Sequence, residues 1–181
     1  MLTGRPIALQ DQASIVDLSR LSLSFGEALT LHVPVRPRPI ELAGQNYTGH
    51  PDPVDARVDV SRTSSGYALR MRLSIRLQGP CQRCLEPAQL EVGVDAREVE
   101  QSGAADEELR SPYVEGSELD VSRWAQDALA LALPGQVLCR ADCAGLCAVC
   151  GESLNDADSE DHRHDEGGDP RWEKLRELRS E

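Results

Sequence analysis

The arrangement of the cysteines constrains this chain more than any other feature of its sequence. All six fall in two short groups, Cys81-x-x-Cys84 and Cys139-x3-Cys143-x3-Cys147-x2-Cys150. Two cysteines separated by two residues form a turn that offers both thiolates to one tetrahedral ion, and Gly151 suits the sharp bend after such a turn. Four cysteines within twelve residues therefore predict a metal site, with zinc as the expected ion. An iron–sulfur cluster is the alternative, but the cysteines lack a matching cluster spacing.

The ligands can be divided between sites in two ways, and the sequence leaves both open. In the first, the second cysteine group forms one local site by itself. In the second, the two Cys-x-x-Cys pairs share one ion, and the remaining candidates form another site: Cys139, Cys143, His162 and His164. Six cysteines and two histidines make eight ligands, enough for two four-coordinate ions. We expect structural rather than catalytic zinc, because a catalytic site keeps one position open beside a general acid or base.

A thiol redox function for Cys81 and Cys84 is disfavoured. A redox pair usually lies at the N-terminus of a helix, where the thiolate is stabilised. Here Leu85-Glu86-Pro87 and a further alternating segment follow, which indicates a turn between strands.

Alternating apolar residues predict an antiparallel sheet. Three segments alternate with period two: Val54–Ser61, Leu69–Leu77 and Leu90–Ala96. The first cysteine pair lies in the turn between the second and third segments. Short strands are also expected at residues 15–18 and 28–33, a polar loop at 44–53 and an acidic loop at 100–118.

One central helix is predicted after Asp120, a good N-cap, with helical spacing of Val121, Trp124 and Leu129 and a stop at Pro134-Gly135. The predicted fold class is α+β: a twisted antiparallel sheet, this helix and a Cys-rich, zinc-binding C-terminal segment. We expect a single domain over residues 1–178, with the metal-binding segment at 139–168 and a short helix at 169–178. The longest uncharged run is twelve residues, and no secretory signal is evident, so we expect a cytoplasmic protein.

Charge is distributed unevenly along the chain. The net charge of -12 divides into ten arginines against seven acidic residues in 1–84, net +3, and nine basic against 24 acidic residues in 85–181, net -15. Aromatic residues make up 3%, which excludes a base-stacking surface for single-stranded nucleic acid. Four arginines of the predicted hairpin share one sheet face and are candidate contacts for RNA backbone: Arg57, Arg70, Arg72 and Arg76. The alternative is a solvated face with cross-strand pairs to Asp55 and Asp59.

The joint occurrence of several segments resembles the YceD family, described as large ribosomal RNA subunit accumulation proteins. These segments are Cys81–Pro87, Gly116–Asp120, Leu133-Pro134, Cys139–Gly151 with Leu154-Asn155, and Asp169–Trp172. The excess of arginine over lysine and the His-containing acidic stretch resemble the actinobacterial branch. Many relatives carry further cysteines after the position of Asn155, where this chain has Asp158–His164, and some relatives lack the C-terminal cluster altogether.

The resemblance implies a non-catalytic ribosome biogenesis factor that supports synthesis, processing or accumulation of large-subunit ribosomal RNA. Its partner would be a precursor of that RNA or a basic ribosomal protein, with no membrane and no small-molecule substrate involved. The alternative is a zinc-stabilised protein-interaction module whose acidic C-terminal half binds a basic partner.

Overall fold

The computed structural model describes residues 14–101 and 109–155, together with His162 and His164. Antiparallel β-strands account for nearly half of these residues, and one α-helix follows the last strand. The strands are β1 (Ile15–Asp17), β2 (Ala28–Val35), β3 (Ile40–Leu42), β4 (Gln45–His50), β5 (Val54–Arg62), β6 (Gly66–Pro80), β7 (Pro87–Gln101), β8 (Val114–Glu115) and β9 (Glu118–Asp120), and the helix is α1 (Val121–Ala132).

The larger sheet has six strands and is organised around the long strand β6. Along one edge β6 pairs with β7 over its whole length, from Gly66 opposite Gln101 to Pro80 opposite Pro87. Along the other edge it pairs first with β5 and then, nearer its end, with β4. Strand β2 extends the sheet beyond β5, and β3 extends it beyond β4. The smaller sheet contains β1, β9 and β8 in that order.

The predicted hairpin is confirmed, and its alternation separates an apolar face from a charged face. Met71, Leu73 and Ile75 of β6 are buried, while the arginines that alternate with the apolar residues of this strand lie on the opposite face. The third alternating segment is also confirmed as a strand, because Leu73 lies opposite Val94 and Ile75 opposite Val92. The apolar side chains of both strands therefore line one surface of the sheet.

Two segments expected to be loops contain strands. The polar segment 44–53 includes β4, whose Tyr47 is 1% exposed and whose Gly49 faces the core. A Cβ at Gly49 would overlap the side chain of Ile75, so this strand carries little of the apolar alternation that marks a strand in sequence. Within 109–118 the chain forms β8 and begins β9, which pair with each other.

Helix α1 begins and ends as predicted. The side chain of Asp120 accepts a hydrogen bond from the Arg123 N–H at 2.9 Å, and Leu133 ends the helix before Pro134. Trp124 and Leu129 are buried in the same core as the apolar face of the sheet, and Trp124 stacks on Tyr113 with 6.0 Å between ring centroids. The core thus lies between the large sheet, α1 and the small sheet.

Within the described residues, no helix is long and apolar enough to cross a membrane. The predicted helix at 169–178 lies outside the described residues, as does most of the acidic stretch before it.

Candidate metal centre

The first cysteine pair lies in the turn between β6 and β7, as predicted. We call residues Cys81–Glu86 the first knuckle. The Cys81 N–H donates to the Glu86 carbonyl at 2.7 Å, and the Leu85 N–H donates to the Cys81 carbonyl at 3.0 Å. Leu85 adopts a left-handed conformation, with φ of 64°, and the Arg83 N–H points at the Cys81 sulfur at 3.4 Å. These contacts hold the two thiols side by side.

A second knuckle, Cys147–Glu152, repeats this backbone pattern. The Cys147 N–H donates to the Glu152 carbonyl at 2.8 Å, and the Gly151 N–H donates to the Cys147 carbonyl at 2.9 Å. Gly151 has a φ of 77°, and the Val149 N–H lies 3.4 Å from the Cys147 sulfur. The position occupied by Leu85 in the first knuckle is therefore glycine in the second, where the left-handed conformation carries no Cβ penalty.

The chain that leaves α1 runs directly to the first knuckle. The Gln82 N–H donates to the Val137 carbonyl at 2.9 Å, and the Gln82 side chain accepts from the Val137 N–H. Further along, the Arg83 guanidinium donates to the Cys143 carbonyl at 2.6 Å. Gly145 passes so close that an added Cβ would lie 3.2 Å from the Arg83 carbonyl. This packing brings Cys139 and Cys143 beside the first knuckle.

Four sulfur atoms meet at this point, and we call them the inner group: Cys81, Cys84, Cys139 and Cys143. All four lie within 4.8 Å of one another. The separation is 3.7 Å between Cys81 and Cys143, and 3.5 Å between Cys84 and Cys139. Three of the four residues are buried and Cys139 is half-buried.

The second knuckle has its own pair of partners, and we call this set the outer group: Cys147, Cys150, His162 and His164. The Nε2 atom of His164 lies 3.2 Å from the Cys147 sulfur, and that of His162 lies 3.5 Å from the Cys150 sulfur. The two Nε2 atoms are 3.3 Å apart. This group is more exposed than the inner group.

The spacing of both groups fits a single tetrahedral ion each. With zinc–sulfur bonds of about 2.3 Å and zinc–nitrogen bonds of about 2.0 Å, a tetrahedron spaces two sulfurs about 3.8 Å apart, two nitrogens about 3.3 Å and a mixed pair about 3.5 Å. An iron–sulfur cluster divides its protein ligands between two or more iron atoms and therefore spreads the full set further apart. The compact donor sets can hold two mononuclear metal ions.

The acidity of the thiols also favours a cation. Burial raises the pKa of Cys81, but nearby backbone N–H groups outweigh it and lower that pKa to about 6. The Cys84 thiol and burial together raise the pKa of Cys139 to about 12. In the outer group, the Cys150 N–H and then His162 lower the pKa of Cys147 to about 6. One thiolate thus forms readily, but further thiolates in the same cluster need a positive ion between them.

The grouping differs from both divisions that the sequence left open. Among the described residues, the sulfurs of the second cysteine group do not all meet at one point, and neither do those of the two knuckles. Each knuckle instead meets its own partners. The segment after α1 packs on Arg83 and so places Cys139 and Cys143 beside the first knuckle. The eight candidate ligands are those that the sequence indicated.

Three residues that support these groups were not selected from the sequence. The Asn155 amide lies 3.6 Å from the Cys143 sulfur and also accepts from the Ala144 N–H at 2.9 Å. Arg83 links the first knuckle to the Cys143 carbonyl. Glu152 lies 3.6 Å from His162 Nδ1, on the opposite side of the ring from the outer group. Asn155 lies in one of the segments that carry the family resemblance, which is the signal that could have indicated it.

The four candidate RNA-binding arginines all meet carboxylates on their own sheet face. The pairs are Arg57 and Arg72 with Asp59, Arg70 with Asp95, and Arg76 with Glu91. Arg57 and Arg72 lie directly opposite each other, and Asp59 offsets the repulsion that two facing cations would otherwise produce. Four cations share three carboxylates here, so the patch carries little excess positive charge.

Comparison with known proteins agrees with the resemblance seen in the sequence. The chain is 33% identical to an uncharacterised protein of Mycobacterium tuberculosis over 130 residues, which is 69% of this chain and 61% of that protein. It is 28% identical to an uncharacterised protein of Mycobacterium leprae over 131 residues, which is 70% of this chain and 59% of that protein. The match therefore spans about three fifths of the length of these relatives. No solved structure matches the chain.

A family model described as "Large ribosomal RNA subunit accumulation protein YceD" matches residues 69–179. The matched segment begins in β6 and takes in both knuckles and all eight candidate ligands. This chain belongs to the YceD family.

Proposed function

We propose that the protein is a non-catalytic factor in ribosome biogenesis that supports the accumulation of large-subunit ribosomal RNA. The observation that carries this proposal is the family match over residues 69–179, which covers more than half of the chain. Membership of a family described by that role supports the same role here. The proposal places the protein in the cytoplasm, with assembling ribosomes.

Zinc has a structural part in this proposal. The donor sets consist of thiolates and imidazoles, which zinc prefers, and each offers four ligands and so leaves no open position for a substrate. The inner ion would fasten the segment after α1 to the β6–β7 hairpin. A protein with few aromatic side chains gains stability from such a link, because its core lacks the large buried area that aromatics supply.

The two candidate partners are a large-subunit RNA precursor and a basic ribosomal protein. The pairing of the four arginines with carboxylates supports the protein partner, since an RNA phosphate would have to displace those carboxylates. The net charge of -15 in residues 85–181 also supports a basic partner. Capture of a basic ribosomal protein is therefore the favoured route by which this factor would promote RNA accumulation.

Deletion of the gene tests the main proposal. We expect the ratio of large- to small-subunit ribosomal RNA to fall, and expression of the full-length chain to restore it. The small-subunit RNA is the internal control. An unchanged ratio in the deletion strain, at several growth rates, would overturn the proposed role.

Two charge variants separate the partners. Replacement of Asp156, Asp158, Glu160 and Asp161 by their amides retains every candidate ligand and should weaken co-purification of a basic ribosomal protein. The matched variant Arg70→Glu with Arg72→Glu should leave that co-purification unchanged. If the arginine variant instead abolishes a steeply salt-dependent binding to precursor RNA, the RNA is the direct partner.

A further inference from the structure

The inner and outer groups differ in their access to solvent. In the inner group Cys81, Cys84 and Cys143 are at most 4% exposed. In the outer group Cys150 and His164 are exposed, Cys147 is half-buried, and the His162 side chain is 11% exposed. Water, a chelator or a competing thiol can therefore reach an outer ion directly, whereas the inner ion is shielded by the fold.

The groups also differ in what holds their ligands when no ion is considered. The inner thiols are fixed by the folded body, through the Gln82–Val137 hydrogen bonds and the Arg83–Cys143 contact. The outer thiols are fixed by the second knuckle. Among the described residues, the polar contacts of His162 are with outer-group ligands and with Glu152 at 3.6 Å. An outer ion would thus supply the main polar attachment of the two histidines.

The span of chain that each group closes differs as well. The inner group joins residues 55 to 62 positions apart that already pack together in the body. The outer group joins residues 12 to 17 positions apart at the surface. Loss of the inner ion would loosen the contact between the segment that follows α1 and the β6–β7 hairpin. Loss of the outer ion would release only a local loop.

The two groups would also differ in net charge when each holds a zinc ion. Zinc with four thiolates carries a net double negative charge, and the Arg83 guanidinium donates to the carbonyl of Cys143, one of its ligands. Zinc with two thiolates and two neutral imidazoles carries no net charge, and among the described residues Glu152 faces this group through His162. A carboxylate facing the second nitrogen of a ligating histidine is a common supporting contact at zinc sites.

We propose that the outer group is a separate, exchangeable zinc site, and that it can lose its ion while the inner site stays filled and the body stays folded. Attachment of His162 and His164 to the second knuckle would then follow the supply of free zinc. The acidic residues 156–161 lie between the knuckle and these histidines in sequence. Zinc supply would therefore also control whether this acidic segment is anchored at both of its ends. The inference rests on the zinc of the proposed function but not on its ribosomal role.

Exchange kinetics of the cobalt-substituted full-length chain test the inference. Absorption from sulfur-to-cobalt charge transfer grows with the number of cobalt–thiolate bonds, so the two sites have distinct spectra. On addition of EDTA we expect two phases, and the weaker, two-thiolate spectrum should be lost first. Its rate of loss should be about tenfold higher or more, because supporting contacts change metal affinity over that range. Circular dichroism should retain the β-sheet signal after the first phase.

Matched variants assign the phases. His162→Ala with His164→Ala should remove the fast phase and leave the slow one, and Glu152→Gln should accelerate the fast phase about tenfold. Glu118→Gln, in β9, is the control and should change neither phase. A single phase, a fast phase with the four-thiolate spectrum, or loss of both phases in the histidine variant would overturn the inference. A protein that binds neither cobalt nor zinc would refute the structural role of zinc itself. None of these outcomes depends on ribosomal RNA levels.

Discussion

Because Leu85 adopts a left-handed conformation, glycine at this position should give a more stable protein than alanine, the reverse of the usual order. In the first knuckle this residue has a φ of 64° and is 57% exposed. A left-handed residue with a Cβ costs about 1–2 kcal/mol, while glycine costs about 0.5–1 kcal/mol in lost chain entropy. Leu85→Ala and Leu85→Gly both lose the partly buried side chain, about 1 kcal/mol when scaled from full burial of leucine. The glycine variant alone relieves the backbone, so it should be more stable than the alanine variant by about 0.5–1 kcal/mol.

Urea unfolding at a fixed concentration of free zinc measures this difference. The control is Ala88→Gly in the neighbouring strand β7, where the residue is 3% exposed and the glycine should destabilise the protein by about 1 kcal/mol. A Leu85→Ala variant as stable as Leu85→Gly, or more stable, would refute the assigned knuckle geometry.

Three other perturbations follow from the structure. Asp59→Asn should lower the unfolding free energy by about 1–2 kcal/mol at pH 7, because hydrogen bonds from Thr30 and then the paired arginines lower the Asp59 pKa to about 2. Because the folded-state pKa is depressed, the decrease in unfolding free energy caused by Asp59→Asn should be complete above about pH 4. It should vanish as the pH falls toward 2, which urea unfolding at a series of pH values would show. Asn155→Asp should weaken inner zinc about tenfold or more in a chelator competition, because a carboxylate would replace the amide beside Cys143, whereas exposed Asn46→Asp should not. Trp124→Ala should cost about 3–5 kcal/mol in thermal or urea unfolding, because the side chain is 1% exposed.

The strongly periodic elements were predictable from the sequence. The β5–β6 hairpin alternates apolar residues with charged residues or serine, and Asp120 caps α1 where expected. Strand β4 was missed because its inward positions include Gly49, which has no side chain to reveal a buried face. Its buried Tyr47 instead donates to the Pro80 carbonyl at 2.8 Å, a contact between distant parts of the chain.

The sequence singled out the same eight side chains that the structure brings into two groups, but it did not indicate how they are divided. Ligand spacing reveals which residues can form a knuckle, since that turn is local. Which partners a knuckle meets depends on where the chain packs after α1, and this is decided by long-range contacts such as Gln82 with Val137. Arg83 and Asn155 belong to the same class of contact, and no local pattern marks them as neighbours of Cys143.

Each knuckle would hold its own ion, the first with Cys139 and Cys143 and the second with His162 and His164. X-ray absorption at the zinc edge, together with the zinc content, tests this division most directly on the variant Cys147→Ser with Cys150→Ser. We expect one zinc per chain with four sulfur neighbours, supplied by the inner group. No zinc would indicate a local site in the second cysteine group, and one zinc with two sulfur and two nitrogen neighbours would indicate shared knuckles. Either result would contradict the account.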